Sequence, residues 1–202
     1  MTGKRRTRLT VLLDEIRACT VCAADLPLGP RPILAASATA RVLLAGQAPG
    51  AKVHASGIPW DDGSGETLRA WLGLDRVAFY DPAKVAILPM GFCYPGKGKS
   101  GDLPPRPECA RQWHGTLLPL LTGVELTLVI GSYAQDYHLG GRQKPTLTET
   151  VRAFREYLPA ICVLPHPSPR NRPWLAANPW FERECVPAIR ARIAAVIPLG
   201  RT

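Results

Sequence analysis

The chain has 202 residues, of which 46% are hydrophobic, and this size and composition predict one folded domain over residues 1–202 rather than a disordered chain. No apolar run reaches the roughly 18–20 residues of a membrane span, and the basic start lacks a secretory apolar stretch, so we expect a cytoplasmic protein with no membrane partner. Lys and Arg outnumber Asp and Glu by 25 to 16, and this charge of +9 raises the chance that the partner is a nucleic acid.

The apolar runs alternate with helical patterns along the chain. We predict helices over 5–19, 65–74, 106–121, 147–157 and 173–197, the last interrupted at Pro187, and buried strands over 41–45, 84–88, 126–130 and 160–164. The strand segments do not alternate polar and apolar residues, which is typical of strands covered on both faces. The pattern predicts an α/β fold, a three-layer α/β/α sandwich around a four-stranded parallel sheet. Ligands bind at the carboxyl ends of such strands, so we expect the site in the loops that follow them.

The loop after the first strand, GQAPGAKVHASGIPWDDGSGETL, concentrates polar groups beside glycines. Gly46 allows the backbone to approach a ligand closely, and Gln47 follows it. Trp60 either packs in the core or forms a platform for a planar base. Asp61 and Asp62 either act on a substrate or are solvated and cap the next helix. The loop has neither dinucleotide-binding nor P-loop spacing, so we expect no nucleotide cofactor.

The loop after the last strand begins with HPSPRN, residues 166–171. Its prolines predict a stiff, extended segment held against a partner. His166 directly follows the strand and can donate a hydrogen bond to a developing anion. Arg170 can reach phosphates or enter a groove of a duplex. The alternative is a structural proline-rich turn that carries a capping histidine.

A glycine-rich basic loop, YPGKGKSG, lies between the second and third strands. Lys97 and Lys99 in this loop can hold phosphates through side chains and nearby amides. The loop lacks the spacing of a P-loop, and it can equally be a solvated, flexible connection.

Four of the six cysteines have the spacing of a metal site. A CxxC pair is followed much later by two cysteines with fifteen residues between them, and the four are Cys19, Cys22, Cys93 and Cys109. Four thiolates can hold a [4Fe–4S] cluster or zinc, although structural zinc sites usually show two close pairs. Cys162 and Cys185 lie in apolar segments and are predicted to be small core residues.

Together these stretches resemble the uracil-DNA glycosylase superfamily over about residues 19–197. GQAPG is similar to the GEAPG first motif of the iron–sulfur, family 4-like branch, and GIPWDDGSG keeps the length of that branch's GRPFVGRAG. HPSPRN is similar to the second motif of that branch and of the single-strand-selective monofunctional uracil glycosylases. The order of the four cysteines also matches the branch and implies a [4Fe–4S] cluster that joins the N-terminal helix to the segment 93–109.

The resemblance implies a monofunctional DNA repair glycosylase. It would flip a deaminated base, uracil foremost, out of DNA and hydrolyse its N-glycosidic bond to leave an abasic site. Three departures mark a divergent member: Gln47 replaces an acidic residue, Trp60 replaces phenylalanine, and the second strand ends without the family's asparagine. These departures keep two alternatives open. One is a glycosylase for hypoxanthine or xanthine, and the other is a non-catalytic module, cross-linked by a bound metal, that binds DNA or senses lesions. A hydrolase that uses His166 with Asp62 is a weaker third reading, because no GxSxG motif is present.

The resemblance and the chemistry of the loops assign a role to each candidate residue. His166 would stabilise the departing base, and Gln47, Asp62 or Asp61 would position water. The proposed base-binding residues are Trp60, Ala48 and Gly46. The proposed DNA-binding residues are Arg170, as a wedge into the base stack, Asn171, Ser168, Lys97 and Lys99. We expect a monomer that acts on damaged DNA and associates with the nucleoid in a prokaryote.

Overall fold

A four-stranded parallel sheet forms the centre of the computed structural model, which describes residues 6–197. The strands have the spatial order β2-β1-β3-β4. Their bounds are Val42–Ala45 for β1, Val85–Ile87 for β2, Leu126–Ile130 for β3 and Ile161–Leu164 for β4. The observed bounds confirm all four predicted strands. The prediction succeeded because short, fully apolar runs bounded by turn residues are typical of a sheet buried on both faces.

Neighbouring residues of β1 point to opposite faces of the sheet and enter different apolar cores. Leu43 pairs with Ala86 of β2, and both belong to the core formed with the N-terminal helix. Val42 and Leu44 belong to the larger core on the other face. Helices therefore cover both faces, which confirms the three-layer α/β/α sandwich.

The helices agree with the predicted segments in part. The structure contains α1 (Arg8–Arg17), α2 (Ala51–Ser56), α3 (Gly63–Leu72), α4 (Arg76–Tyr80), α5 (Pro107–Cys109), α6 (Gly115–Leu117), α7 (Ser132–Leu139), α8 (Leu147–Arg152), α9 (Arg172–Ala177) and α10 (Val186–Val196). The predicted helix 106–121 is continuous but contains a π-helical turn, Ala110–His114, between α5 and α6. The predicted interruption of helix 173–197 at Pro187 is wrong, because Pro187 lies in the first turn of α10 and the chain instead leaves helical geometry at Asn178. None of the described helices is long and apolar enough to cross a bilayer.

Hydrogen bonds between main-chain groups join the loops at the carboxyl edge of the sheet. The amide of Met90 donates to the carbonyl of Gly46, and the amide of Gly91 donates to that of Gln47. On the other side, the amide of Gly131 donates to the carbonyl of Leu164. These bonds hold the loops after β1, β2, β3 and β4 side by side, so side chains from distant parts of the sequence meet there.

Candidate active site

A cavity of about 400 Å³ opens at the carboxyl edge of the sheet. The predicted site residues that line it are Gly46, Gln47, Ala48, Trp60, Asp62, His166, Ser168, Arg170 and Asn171. It is also lined by residues of the loop 100–103 and by apolar Ile33 and Ile87. The first and last loops, more than a hundred residues apart in sequence, therefore form one concave site of the size that small ligands occupy.

The rings of Trp60 and His166 lie next to each other in the lining of this cavity. Their centroids lie 5.6 Å apart, with the ring planes inclined by 34°. Trp60 is half-buried: it packs against the edge of the larger apolar core and also lines the cavity. A planar ligand that stacks on the indole would therefore lie beside the imidazole.

Trp60 has an unusual backbone conformation that the surrounding residues hold in place. Its φ of 59° is in the left-handed region, which costs an L-residue roughly 1–2 kcal/mol. The Trp60 carbonyl accepts hydrogen bonds from buried Arg69 Nη1 and from the Tyr80 hydroxyl, each at 3.2 Å. A Cβ at Gly65 would overlap this carbonyl, and a Cβ at Gly46 would lie 2.9 Å from the indole Cζ2. Two glycines and two hydrogen bonds thus fix the ring at the cavity wall.

The contacts of His166 define the position of its proton. The main-chain amide of Ser168 donates to His166 Nδ1 at 3.2 Å, so the neutral ring carries its proton on Nε2. Burial lowers the pKa of His166 below its ordinary value, while the nearby carboxylates of Asp62 and Asp102 oppose this shift. Asn171 Nδ2 donates to the His166 carbonyl at 2.7 Å and stiffens the loop. The ring is therefore a neutral hydrogen-bond donor at physiological pH.

The two neighbouring aspartates have different surroundings. Asp62 lines the cavity and also caps α3, because its Oδ1 accepts from the Gly65 amide at 2.9 Å. Asp61 is not among the residues that line the cavity, and its carboxylate pairs with Arg76 at 3.2 Å. The geometry therefore favours Asp62 as the carboxylate of the site and does not support a catalytic role for Asp61.

The wall formed by the second strand and its loop is apolar. Ile87 and Pro89 line the cavity where the family resemblance leads one to expect an asparagine. Gln47 and Ala48 lie nearby on the first loop, with the Gln47 carbonyl occupied by the amide of Gly91. The Gln47 side chain is a polar group that can contact a ligand at this end of the cavity.

The basic loop lies at the mouth of the cavity. Lys97 and Lys99 are exposed and do not line the cavity. Arg170 Nη1 donates to the Ser100 carbonyl at 3.0 Å, so it links this loop to the last one. Insertion of Arg170 into a base stack, as predicted, would require this bond to break.

Sequence reasoning missed the residues that follow the basic loop's lysines. Asp102 and Leu103 both line the cavity, and Asp102 is close enough to influence the pKa of His166. An acidic residue in an otherwise basic, glycine-rich stretch is a signal that could have drawn attention to Asp102. For Leu103 the sequence offers no comparable signal, because its position depends on how the loop folds back over the site.

The four cysteines with metal-site spacing line one small, largely apolar cavity. Cys19, Cys22, Cys93 and Cys109 meet there, next to Arg106. Burial raises the pKa of the Cys109 thiol to about 11, and the Phe92 amide donates towards its sulfur at 3.5 Å. Across residues 6–197, no three His, Cys, Asp or Glu side chains are close enough together to bind a single ion. The other two cysteines are core residues, as predicted, with Cys162 at 2% and Cys185 at 0% exposure.

Comparison with known protein families identifies the fold. The family model described as the Uracil DNA glycosylase superfamily matches residues 35–190. The match includes both loops that form the cavity, GQAPG at 46–50 and HPSPRN at 166–171, as well as Cys93 and Cys109. It spans well over half of the chain, and the protein therefore belongs to the uracil DNA glycosylase superfamily.

Proposed function

We propose that this protein is a monofunctional DNA glycosylase that binds a flipped, deaminated base stacked on Trp60 and beside His166. Membership of the superfamily supports DNA glycosylase chemistry in general. The observation that carries the specific proposal is the neutral His166, with its proton on Nε2, 5.6 Å from an indole that is fixed at the wall of the same cavity. Uracil is the first candidate substrate.

Base flipping accounts for the shape of the site. A glycosylase reaches the sugar carbon C1′ by rotating the nucleotide out of the stack, at a cost of a few kcal/mol. Stacking of the flipped base on an aromatic ring stabilises the bound state by roughly 1–3 kcal/mol and so offsets this cost. Trp60 supplies this ring, and its backbone contacts with Arg69 and Tyr80 keep it in place before the base arrives.

His166 is proposed to stabilise the leaving group. When the bond between C1′ and the base nitrogen breaks, its electron pair moves to the base and a cation-like sugar remains. The Nε2–H of His166 donates to the base oxygen on which negative charge develops, and the main-chain amides of Gln47 and Ala48, which line the cavity, are proposed to donate as well. One such donor contributes a factor of about 10²–10³ to the rate in other oxyanion sites.

Asp62 is proposed to assist at the sugar. Its carboxylate stabilises the positive charge on the sugar and orients the water whose oxygen bonds to C1′. The Gly65 amide occupies Asp62 Oδ1, so Oδ2 is the oxygen assigned to this role. Gln47 can orient the same water through its side-chain amide, and the proton of the water passes to the carboxylate or to solvent.

The basic residues at the mouth of the cavity are proposed to bind the DNA backbone. Lys97 and Lys99 are exposed on the loop beside the cavity, and Arg170 and Ser168 lie on the facing loop. Phosphate contacts of this kind set the register of a protein on DNA without reading its sequence. Asn171 supports the loop through its bond to His166.

The four clustered cysteines are proposed to hold a [4Fe–4S] cluster, with zinc as the alternative. The donor set fits, since Cys19, Cys22, Cys93 and Cys109 line one cavity. The cluster would join the segment after α1 to the basic loop. Visible absorbance and about four iron atoms per chain are expected, whereas stoichiometric zinc in a colourless protein would refute this assignment.

A non-catalytic DNA-binding module is the second candidate, favoured by Gln47 where the resembled branch has an acidic residue. A substrate panel separates the two functions. Duplex and single-stranded oligonucleotides containing uracil, hypoxanthine or xanthine are incubated with the purified protein, and abasic sites are cleaved with alkali. We expect cleavage of at least one substrate, and its loss in His166→Ala. Tight binding of DNA without cleavage of any substrate would instead support the module.

A further inference from the structure

A second hollow lies beside the active-site cavity. This groove has a volume of about 820 Å³ and runs between α7 and the segment 104–115. Pro89 and Leu103 line the cavity, and the residues that directly follow them, Met90 and Pro104, line the groove. The two hollows therefore share a wall, and a strand of DNA that delivers a nucleotide to the cavity can continue into the groove.

Two exposed aromatic rings mark this groove, which we call the tyrosine groove. Tyr133 and Tyr137 line it from α7 and are 39% and 41% exposed. No other Phe, Trp or Tyr side chain between residues 6 and 197 is exposed to this extent. The buried ring of His114 supports the Tyr137 ring in a T-shaped contact, with the centroids 5.4 Å apart. Aromatic rings that are held in place and open to solvent are platforms on which other planar groups stack.

The spacing of the two tyrosines favours bases that are not stacked on each other. Tyr137 follows Tyr133 by one helical turn of α7, so their attachment points lie roughly 6 Å apart along the helix axis. Neighbouring bases in a strand of B-form DNA are only about 3.4 Å apart. Two consecutive bases of a duplex therefore cannot each stack on one ring, whereas an extended single strand can place one base on each.

The charges in the tyrosine groove indicate how a strand lies in it. Arg111 is exposed on the segment that faces α7. Asp136 lies on α7 with the tyrosines, and its carboxylate repels phosphates from that side. Bases are therefore directed to the tyrosines and phosphates to Arg111. The net charge of +9 also favours a polyanion over an apolar segment of another protein as the occupant.

We propose that the tyrosine groove binds unpaired nucleotides next to the target nucleotide, with one base stacked on each tyrosine. The substrate is then a deaminated base within a single strand or a single-stranded gap. This assignment rests on the proposed glycosylase function, because it names the form of DNA on which that function is exercised. Tyr133 and Tyr137 do not line the active-site cavity, so they bind the strand and take no part in bond cleavage.

The first test measures binding without cleavage. A labelled single strand of thymidines, which contains no deaminated base, is titrated with protein and followed by fluorescence anisotropy. We expect Kd to rise about tenfold in Tyr133→Ala and in Tyr137→Ala, because each variant loses the ring on which one base stacks. Kd for a fully paired duplex should change less than twofold in both variants. Val77→Ala, at an exposed position outside the groove, is the matched control.

Conservative variants separate stacking from a structural effect of the substitutions. Tyr133→Phe and Tyr137→Phe keep the ring, so their Kd should stay within twofold of wild type. Tyr133→Leu is apolar without a ring and should bind as weakly as Tyr133→Ala. Unchanged Kd in both alanine variants, or equal losses on single strand and duplex, would overturn the proposal. Full binding by Tyr133→Leu would also overturn it and assign the groove to an apolar partner.

The second test removes the base instead of the ring. Single-stranded substrates carry uracil, with alkali-stable tetrahydrofuran abasic analogues at the two positions before it or the two positions after it. For wild type, kcat/KM should fall about tenfold when the analogues occupy the side that runs through the groove. The double variant Tyr133→Ala/Tyr137→Ala should lose nothing further from those analogues, and losses that multiply independently would contradict stacking. If wild type cleaves no substrate, the proposed function fails, and the anisotropy measurement still decides whether the groove binds unpaired DNA.

Discussion

The main-chain amide of Ser168 donates to Nδ1 of His166 across 3.2 Å, and this bond decides what the histidine can do. It leaves the ring proton on Nε2, and protonation of Nδ1 would require the bond to be lost. Burial lowers the pKa of His166 in addition. The geometry and the surroundings therefore both favour the neutral ring.

The first prediction concerns the pH dependence of cleavage. Since the neutral ring is the active form, kcat should be constant around pH 7 and fall on the acidic side with a midpoint below 6.5, the ordinary pKa of histidine. His166→Ala should lower kcat by roughly 10²–10³-fold and remove this limb of the profile. The measurement is single-turnover cleavage between pH 4.5 and 8. An acidic limb that persists in His166→Ala would assign the titration to another group.

The second prediction concerns the glycine beneath the tryptophan. Gly65→Ala places a methyl group on the Trp60 carbonyl, so we expect lower thermal stability, altered indole fluorescence and a large loss of kcat/KM. Gly63→Ala is the matched control, because Gly63 is the first residue of the same helix and a Cβ there meets no atom within 4 Å, so its stability and activity should be retained. Equal behaviour of the two variants would contradict the proposed support of Trp60.

The third prediction separates the two aspartates. Asparagine caps helices about as well as aspartate, so Asp62→Asn should keep the melting temperature while lowering kcat by about 10²-fold or more. Asp61→Asn removes only a partly exposed ion pair with Arg76, worth at most ~1 kcal/mol, and should keep full activity. Urea unfolding and cleavage rates measured on both variants check this. Inactivity of Asp61→Asn with an active Asp62→Asn would reverse the assignment.

The fourth prediction concerns stability in acid. His114 is fully buried against Phe92, and burial lowers its pKa from 6.5 to about 4. The unfolded chain binds a proton near pH 6.5 that the native state does not accept until about pH 4, so the free energy of unfolding should fall as the pH drops through this window. The neighbouring His138, also lowered to about 4, acts in the same direction. His114→Phe should reduce the slope, as measured by denaturant unfolding at several pH values, and an unchanged slope would contradict this.

The sequence predicts an element correctly where its local pattern of apolar residues matches the burial of that element in the fold. The strands of the sheet are short apolar runs bounded by turn residues, and the parallel arrangement then places Trp60 and His166 at the same edge. Helix α7 was missed because Tyr133 and Tyr137 are exposed on it, so its apolar residues do not show a clear helical period.

The residues that tertiary contacts bring to the site could not be predicted in this way. Leu103 and Asp102 reach the cavity because a glycine-rich loop folds back on itself and is linked to the last loop through Arg170. The importance of Gly65 depends on the left-handed backbone at Trp60, which lies just before α3. Neither kind of relationship leaves a periodic trace in a single sequence.

The contact between Gly46 and the indole has a consequence for altering the substrate range. The ring occupies the space that a side chain at residue 46 would need, so residues 46 and 60 together set the width of the cavity beside the indole. A smaller aromatic side chain at residue 60 would widen the cavity. Alanine at residue 46 would fit only in combination with that substitution. Libraries intended to admit larger bases should therefore vary the two positions together.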